Sequence, residues 1–257
     1  MEETLKRLYW HAREISNSPK FYTRRYLFDI PRAVLARWRR EKVALGEIKI
    51  QLGQFASLRI AVEILNGEYE ADERELLRAH LADDDIVVEL GTALGVIAAL
   101  CAKRVGSKNV FTFEANPAMI THAQTTFRLN EVDPLIENCM VSSRSGQETF
   151  YISKHFWSSS SKSRGEAEKE VIVPVMPLGA ILEKYRPTFL IVDIEGGEAD
   201  LFDGISLPSF VQRILIELHP HVIGQESVNS VLRQLKSMGF SPQMRMKNPN
   251  QMLLARA

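Results

Sequence analysis

The apolar run Ile86-Val87-Val88 feeds into Glu89-Leu90-Gly91-Thr92-Ala93-Leu94-Gly95, and a second strand-length run, Val110 to Phe113, ends on an acid, Glu114. A buried strand, a glycine-bearing turn and then a helix is how a doubly wound α/β sheet lets a ligand approach its backbone, and an acid about 20 residues on can accept ribose hydroxyls. The pairing predicts a nucleotide-type cofactor site.

The order of residues in the turn narrows the ligand. Dinucleotide sites read G-x-G-x-x-G because a pyrophosphate presses against an uncluttered helix N-terminus. Here Glu89 stands where the strand opens, and its carboxylate repels a pyrophosphate. It suits a ligand that carries an ammonium and a sulfonium, since opposite charges a few Å apart attract by about 4 kcal/mol at an effective dielectric near 20. S-adenosylmethionine is such a ligand and is the expected cofactor. A tight turn whose acid is simply solvated is the plainer alternative.

With 257 residues, 45% hydrophobic and 25% charged, the chain can bury a full core. It has no run of about 18 apolar residues, and Met1-Glu2-Glu3-Thr4-Leu5-Lys6-Arg7 lacks the apolar centre of a secretory signal, so a soluble, cytoplasmic protein is expected. Cys101 and Cys139 have no metal spacing and read as reduced core thiols. Charge is unevenly spread: residues 1–42 hold eleven Lys and Arg against five acids, interleaved with Trp10, Phe21, Tyr22, Tyr26, Phe28 and Trp38. That arm suits an anionic membrane face, an anionic substrate or a partner subunit, or equally a helical cap with its arginines in water. Nucleic acid is not expected, because the main body offers no matching basic stripe.

Helical spacing dominates the first part, with a helix opening at Pro31 and another over 72–81. From residue 86, strand-length apolar runs alternate with helical segments, the pattern of a mostly parallel sheet with helices on both faces. The spacing predicts a helix from about Gly95 to Val105, a strand 109–114, a helix capped by Asn116 with Pro117 first, a strand 136–142, short strands 147–153 and 171–176, and strands 188–193 and 213–219. A helix 225–238 follows, then runs 240–247 and 251–256 joined so tightly that they form an antiparallel hairpin. The organisation expected is a basic helical region, 1–66, ahead of a Rossmann-like domain, 67–257.

Four blocks, I-V-V-E-L-G-T-A-L-G, F-T-F-E-A-N-P, F-L-I-V-D-I-E-G-G-E and I-L-I-E-L-H-P, resemble the FkbM family of S-adenosylmethionine-dependent methyltransferases over roughly residues 67–219. The resemblance implies a Rossmann-like methyltransferase fold and O-methylation of a hydroxyl on a sugar, glycolipid or other secondary metabolite, so the partner is a small-molecule or glycan acceptor. The family's first block usually reads D-x-G-A-N-x-G. Glu89 stands here for its Asp, and Thr92-Ala93 for Ala-Asn, which removes one amide from the cofactor's surroundings.

By the same pattern Glu89, Gly91, Thr92, Ala93 and Gly95 line the methionine and ribose end, and Glu114, with Ala115 and Asn116, holds the ribose. Val141-Ser142 border the adenine, and Asp193 sits beside the methyl group. Asp193 is the first candidate for the base and His219 the second, since a histidine near its ordinary pKa of about 6.5 can take a proton at neutral pH. A histidine merely bonded at a strand end is the competing reading. Glu195 and Glu198 either meet the acceptor or cap the following helix. No metal is expected, although Asp193, Glu217 and His219 could hold a divalent ion if strand alternation let them share a face. Trp157 and Ser160, in the polar insertion 154–169, form either a lid over the acceptor or a surface loop.

Overall fold

The computed structural model describes residues 28–53, 55–152, 169–245 and 248–256. They divide into two compact units, one holding the described residues through Val43 with Gln51–Tyr69, the other Ala44–Ile50 with Glu70 onward. No helix among the described residues is long and apolar enough to cross a membrane.

In the first unit, helix α1 (Ile30–Arg39) opens with proline in its first turn, as the sequence predicts, and buries only Ala33 and Ala36. Strands β1 (Lys42–Leu45) and β2 (Ile48–Gln51) pair with each other. Helix α2 (Leu58–Asn66) is capped by Ser57, whose hydroxyl accepts the Ile60 N–H, and it packs on α1.

The second unit takes in most of the β1–β2 pair and continues with α3 (Ala71–His80), then alternates β3 (Val87–Leu90), α4 (Val96–Val105), β4 (Val110–Glu114), α5 (Pro117–Leu129) and β5 (Leu135–Asn138). An excursion through β6 (Met140–Ser142), β7 (Gly146–Ile152) and β8 (Lys169–Pro177) precedes α6 (Leu178–Tyr185), β9 (Phe189–Val192), α7 (Glu198–Leu201) and β10 (Arg213–Glu217). Helices α8 (Pro220–Ile223) and α9 (Gln225–Ser237) and the hairpin β11 (Phe240–Arg245) and β12 (Gln251–Arg256) complete it.

Seven strands form one sheet in the order β11-β12-β10-β9-β3-β4-β5. Strands β3, β4, β5, β9 and β10 run parallel, and β12 is antiparallel to both its neighbours. The expected terminal hairpin is present, and its second strand is inserted between β10 and β11. Strands β3 and β9 are buried at every position, which is why they read as unbroken apolar runs: helices cover both faces of a parallel sheet. Val88, Leu90, Phe113, Leu190, Val192 and Ile214 anchor the core, each large side chain contributing about 1.5–3 kcal/mol.

One expected strand, 136–142, is two. β5 pairs with β4 in the main sheet, whereas β6 pairs with β8 in a separate three-stranded sheet, and Cys139 lies at the break. Periodicity cannot reveal a change of partner inside a strand-length run.

The amino edge of the main sheet is stitched shut. Asp85 Oδ1 accepts from the Thr188 hydroxyl at 2.5 Å and from Arg213 at 2.6 Å, and its Oδ2 accepts the Ala82 N–H at 2.7 Å. The carboxyl edge opens differently. From β3 the chain moves out through β4 to β5 and returns on the other side as β9 and β10, so a crevice forms where β3 and β9 diverge, the usual ligand position in such sheets.

Candidate functional site

The glycine turn closes over this crevice. Gly91 has φ +92°, and a Cβ there would lie 1.7 Å from the backbone oxygen of Asp193, because the end of β9 crosses directly over it. Gly95, at φ +75°, would place a Cβ 3.0 Å from Ala123 in α5. These two glycines are set by close approach, and only a residue without a side chain fits either.

Ala93 also has a left-handed backbone, φ +45°. Asparagine tolerates that region better than alanine does, so the family's usual Asn suits this position twice over, through its backbone as well as its amide.

Glu114, at the end of β4, clamps the turn. Its Oε2 accepts the Ala93 N–H at 2.8 Å and its Oε1 the Asn116 N–H at 2.7 Å. The Thr92 and Ala115 N–H groups also face this carboxylate, so ribose hydroxyls would share its oxygens with backbone donors. Ala115 is held from the side, since Asn138 donates its amide to the carbonyls of both Glu114 and Ala115. Asn116 caps α5 as expected, its Oδ1 accepting the Ala118 N–H at 3.1 Å. The Asn116 Nδ2 beside it is buried and has no partner.

Glu89 is buried within β3 and accepts from the Thr112 hydroxyl, which is bonded in turn to Thr92. Thr112 lies directly across from Glu89 in the β3–β4 register. Burial pushes the Glu89 carboxyl up to about 8, against the Thr112 hydrogen bond, with the nearby Glu114 charge adding to the rise. Burial likewise raises Glu114. Burial disfavours the charged form of both acids, and a positively charged ligand beside them would offset that.

Their raised values have a measurable consequence. Between about pH 4.5 and 8 the folded chain keeps protons on Glu89, and on Glu73, which burial pushes up to about 7, that the unfolded chain releases. Stability of the ligand-free protein therefore falls as pH rises through that window. Glu89→Gln removes its share, so thermal melts from about pH 5 to about pH 9 should show a shallower decline than wild type; equal slopes would contradict the assignment.

On the β10 side a second cluster forms around His219, which is buried just past the strand end. Its Nδ1 lies 2.8 Å from Glu198 Oε1, and that oxygen also accepts the Gly196 N–H at 3.1 Å. Its Nε2 faces Asp193 Oδ1 at 3.6 Å, Glu195 Oε2 at 3.7 Å and Glu217 Oε1 at 3.9 Å. Burial lowers the imidazole pKa, but the Glu198 hydrogen bond and the charges of Asp193 and Glu195 outweigh it and hold the ring at about 9. At neutral pH His219 is thus an imidazolium, which alters the sequence-based reason for regarding it as a base. Burial and the Glu217 charge, opposed by His219, lift the Asp193 carboxyl well above the usual range, which makes Asp193 the better proton acceptor.

The structure brings together Asp193, Glu195, Glu198, Glu217 and His219, all at the carboxyl edge. Glu217, the last residue of β10, and His219 lie two positions apart, the spacing that puts side chains on one side of an extended strand. Val141 and Ser142 lie in β6, paired with Met176 and Pro177. Trp157 and Ser160 fall outside the described residues.

Sequence reasoning missed the threonine pair under Glu89 and the amides that hold Glu217. Gln251 donates to Glu217 Oε2 at 2.6 Å and also bonds Glu73, and Asn248 donates to Glu217 Oε1 at 3.1 Å. Register carries that information: Gln251 is the partner of Glu217 across the β10–β12 ladder.

The sheet order and the crevice at its carboxyl edge define a Rossmann-like methyltransferase. Residues 85–242, more than half of the chain, match the family described as methyltransferase FkbM domain, and the chain belongs to that family. S-adenosyl-L-methionine is its methyl donor.

Solved structures with a similar fold include a tRNA (uracil-54, C5)-methyltransferase from Pyrococcus abyssi in complex with S-adenosyl-L-homocysteine, at 13% identity and a TM-score of 0.47. That match covers 83% of this chain and 42% of the other, so the chain spans less than half of that enzyme's length. A precorrin-6y C5,15-methyltransferase from Geobacter metallireducens matches at 10% identity and a TM-score of 0.45, over 73% of this chain and 87% of that one. A methyltransferase from Pyrococcus furiosus matches at 11% identity and a TM-score of 0.45, over 88% and 97%. No curated protein matches the chain in sequence.

The residues present fit the donor. Asn116 Nδ2 is an unused buried donor, Gly91 keeps the backbone clear, and the acids of the crevice favour a cation.

Proposed function

We propose that the protein O-methylates a hydroxyl of a sugar, glycolipid or other secondary metabolite. The observation that carries this reading is the His219–Glu198 pair with Asp193 facing it, a proton-accepting cluster beside the crevice. A hydroxyl must lose its proton as it is methylated, and Asp193 is the group assigned to take it. When bound, the cofactor supplies an electrophilic methyl group on a sulfonium.

The chain's own work is positioning. Glu89, Gly91, Thr92, Ala93 and Gly95 shape the methionine end, Glu114, Ala115 and Asn116 hold the ribose, and Val141 and Ser142 border the adenine. Glu195, Glu198, Trp157 and Ser160 are assigned to the acceptor side, Glu198 by fixing the imidazole. Holding two reactants aligned can supply roughly 7–11 kcal/mol of a barrier.

The test is incubation of the purified protein with methyl-labelled cofactor and a panel of sugars, glycolipids and hydroxylated metabolites, with label and S-adenosylhomocysteine measured together. Label found only on nitrogen or carbon acceptors would overturn the reading. Glu114→Ala should weaken cofactor affinity more than Asp193→Ala does, because Glu114 serves ribose binding and the turn itself; calorimetry giving equal affinity for wild type and Glu114→Ala would contradict it.

The basic N-terminal region, 1–66, is proposed as a peripheral dock on the cytoplasmic side of an anionic membrane. α1 turns its alanines inward and leaves its large apolar side chains outside, Phe28 68% and Trp38 73% exposed, with Val34 and Leu35 on the same side. Exposed Arg32, Arg39 and Arg40 flank them. Apolar side chains for the acyl boundary beside cations for the headgroups is how interfacial helices bind. Sedimentation with phosphatidylserine vesicles should capture the protein in a salt-sensitive way that Trp38→Ala weakens. Equal capture by neutral vesicles would contradict the electrostatic part.

A further inference from the structure

We infer that Asp193, Glu195 and His219 form a binding site for one divalent cation of the manganese or magnesium class. Among the described residues these three are the group whose donor atoms converge, with one donor atom from each lying within 4.8 Å of the others. The separations from His219 Nε2, 3.6 Å to Asp193 Oδ1 and 3.7 Å to Glu195 Oε2, are too long for hydrogen bonds. Donors about 2.1 Å from one centre lie about 3.0 Å apart at the right angles of a six-coordinate ion, so binding would draw these side chains together by about 0.6 Å.

Two further observations point to a ligand there. Asp193 Oδ1 is closed to water and has no hydrogen-bond partner, although the side chain as a whole keeps some exposure. The nearest cation, the His219 ring at 3.6 Å, makes no hydrogen bond to that oxygen, and a buried carboxylate oxygen is costly without a closer partner. The far nitrogen of the ring is also already fixed: Nδ1 is bonded to Glu198, whose side chain is fully buried. A carboxylate on one ring nitrogen is the usual support for a metal-binding histidine, and an ion bound at the other would take the place of the proton that Nε2 carries in the cation-free chain. Glu217, secured by Gln251 and Asn248, adds a fourth carboxylate at 3.9 Å from Nε2. Two oxygens and one imidazole suit manganese or magnesium, and three protein ligands leave positions on a six-coordinate ion for water and an acceptor oxygen.

This inference rests on the acceptor-side reading above and deepens it. A cation held here polarises the acceptor hydroxyl, while the second oxygen of the Asp193 carboxylate stays available for the proton.

The test is titration of manganese into the full chain after treatment with chelator, followed by the loss of the free-ion paramagnetic resonance signal and by calorimetry. Wild type should bind one equivalent. Glu195→Gln and His219→Gln, each with an unchanged circular dichroism spectrum, should weaken that binding about tenfold or more, one lost ligand being worth at least 1.4 kcal/mol. Absence of binding at millimolar manganese, or equal affinity in wild type and both variants, would overturn the site. The two readings fail separately. Methyl transfer undiminished in chelator would remove the cation and leave the methyltransferase intact, whereas manganese binding without transfer to any hydroxyl would keep the site and remove O-methylation.

Discussion

Gly91→Ala should destabilise the folded chain by about 2–5 kcal/mol, the sum of roughly 1–2 kcal/mol for a side chain in a left-handed conformation and roughly 1–3 kcal/mol for overpacking. The added Cβ would fall 1.7 Å from the Asp193 carbonyl, a backbone atom that cannot swing aside as a side chain can. Relief requires β9 to move away from β3, against the Asp193 N–H bond to the Leu90 carbonyl at 2.9 Å. In a chain of this size the loss corresponds to a melting temperature lower by roughly 4–20 °C. Turnover should fall further than stability, because the same movement carries Asp193 with it, and about 1 Å of misplacement costs about 10² in rate. Scanning calorimetry showing an unchanged melting temperature would mean that the two strand ends do not approach as described.

Asp193→Asn should lower turnover by about 10²–10⁴, the usual contribution of a positioned acid or base, while cofactor affinity stays within a few-fold of wild type. The substitution keeps the shape of the side chain and removes its capacity to take a proton. Glu198→Gln gives the companion result. Its amide can still approach the imidazole but no longer offers a charge, so the His219 pKa should move down from about 9, and nuclear magnetic resonance of the ring should report the shift. Asp193→Asn with full turnover would remove Asp193 from proton transfer, and an unmoved His219 pKa would separate Glu198 from the ring.

Local chemistry was legible in the sequence wherever it decides structure over a few residues. Asn116 with Pro117 announces a helix start, and the unbroken apolar runs of β3 and β9 announce strands covered on both faces. The four blocks located the crevice because its residues lie at strand ends, each within a short stretch. What could not be read depends on register and on pairing between distant segments. Thr112 supports Glu89 only because β3 and β4 pair with those two residues abreast, and Gln251 reaches Glu217 from 34 positions away for the same reason. The division of 135–142 between two sheets was hidden because a strand's periodicity carries no record of its neighbour. His219 was harder still. Its charge state follows from acids just past the end of another strand, and isolated residue types suggest a neutral imidazole where the assembled cluster keeps a proton.

The insertion of β12 between β10 and β11 sets a timetable for synthesis. A ribosome makes residues 251–256 after every other strand of the sheet, yet they supply the inner neighbour of β10 and the amide that steadies Glu217. A nascent chain therefore carries an unfinished acidic pocket until that stretch clears the exit tunnel, and the glycine crevice on the earlier strands can form well before the acceptor side is ready to work.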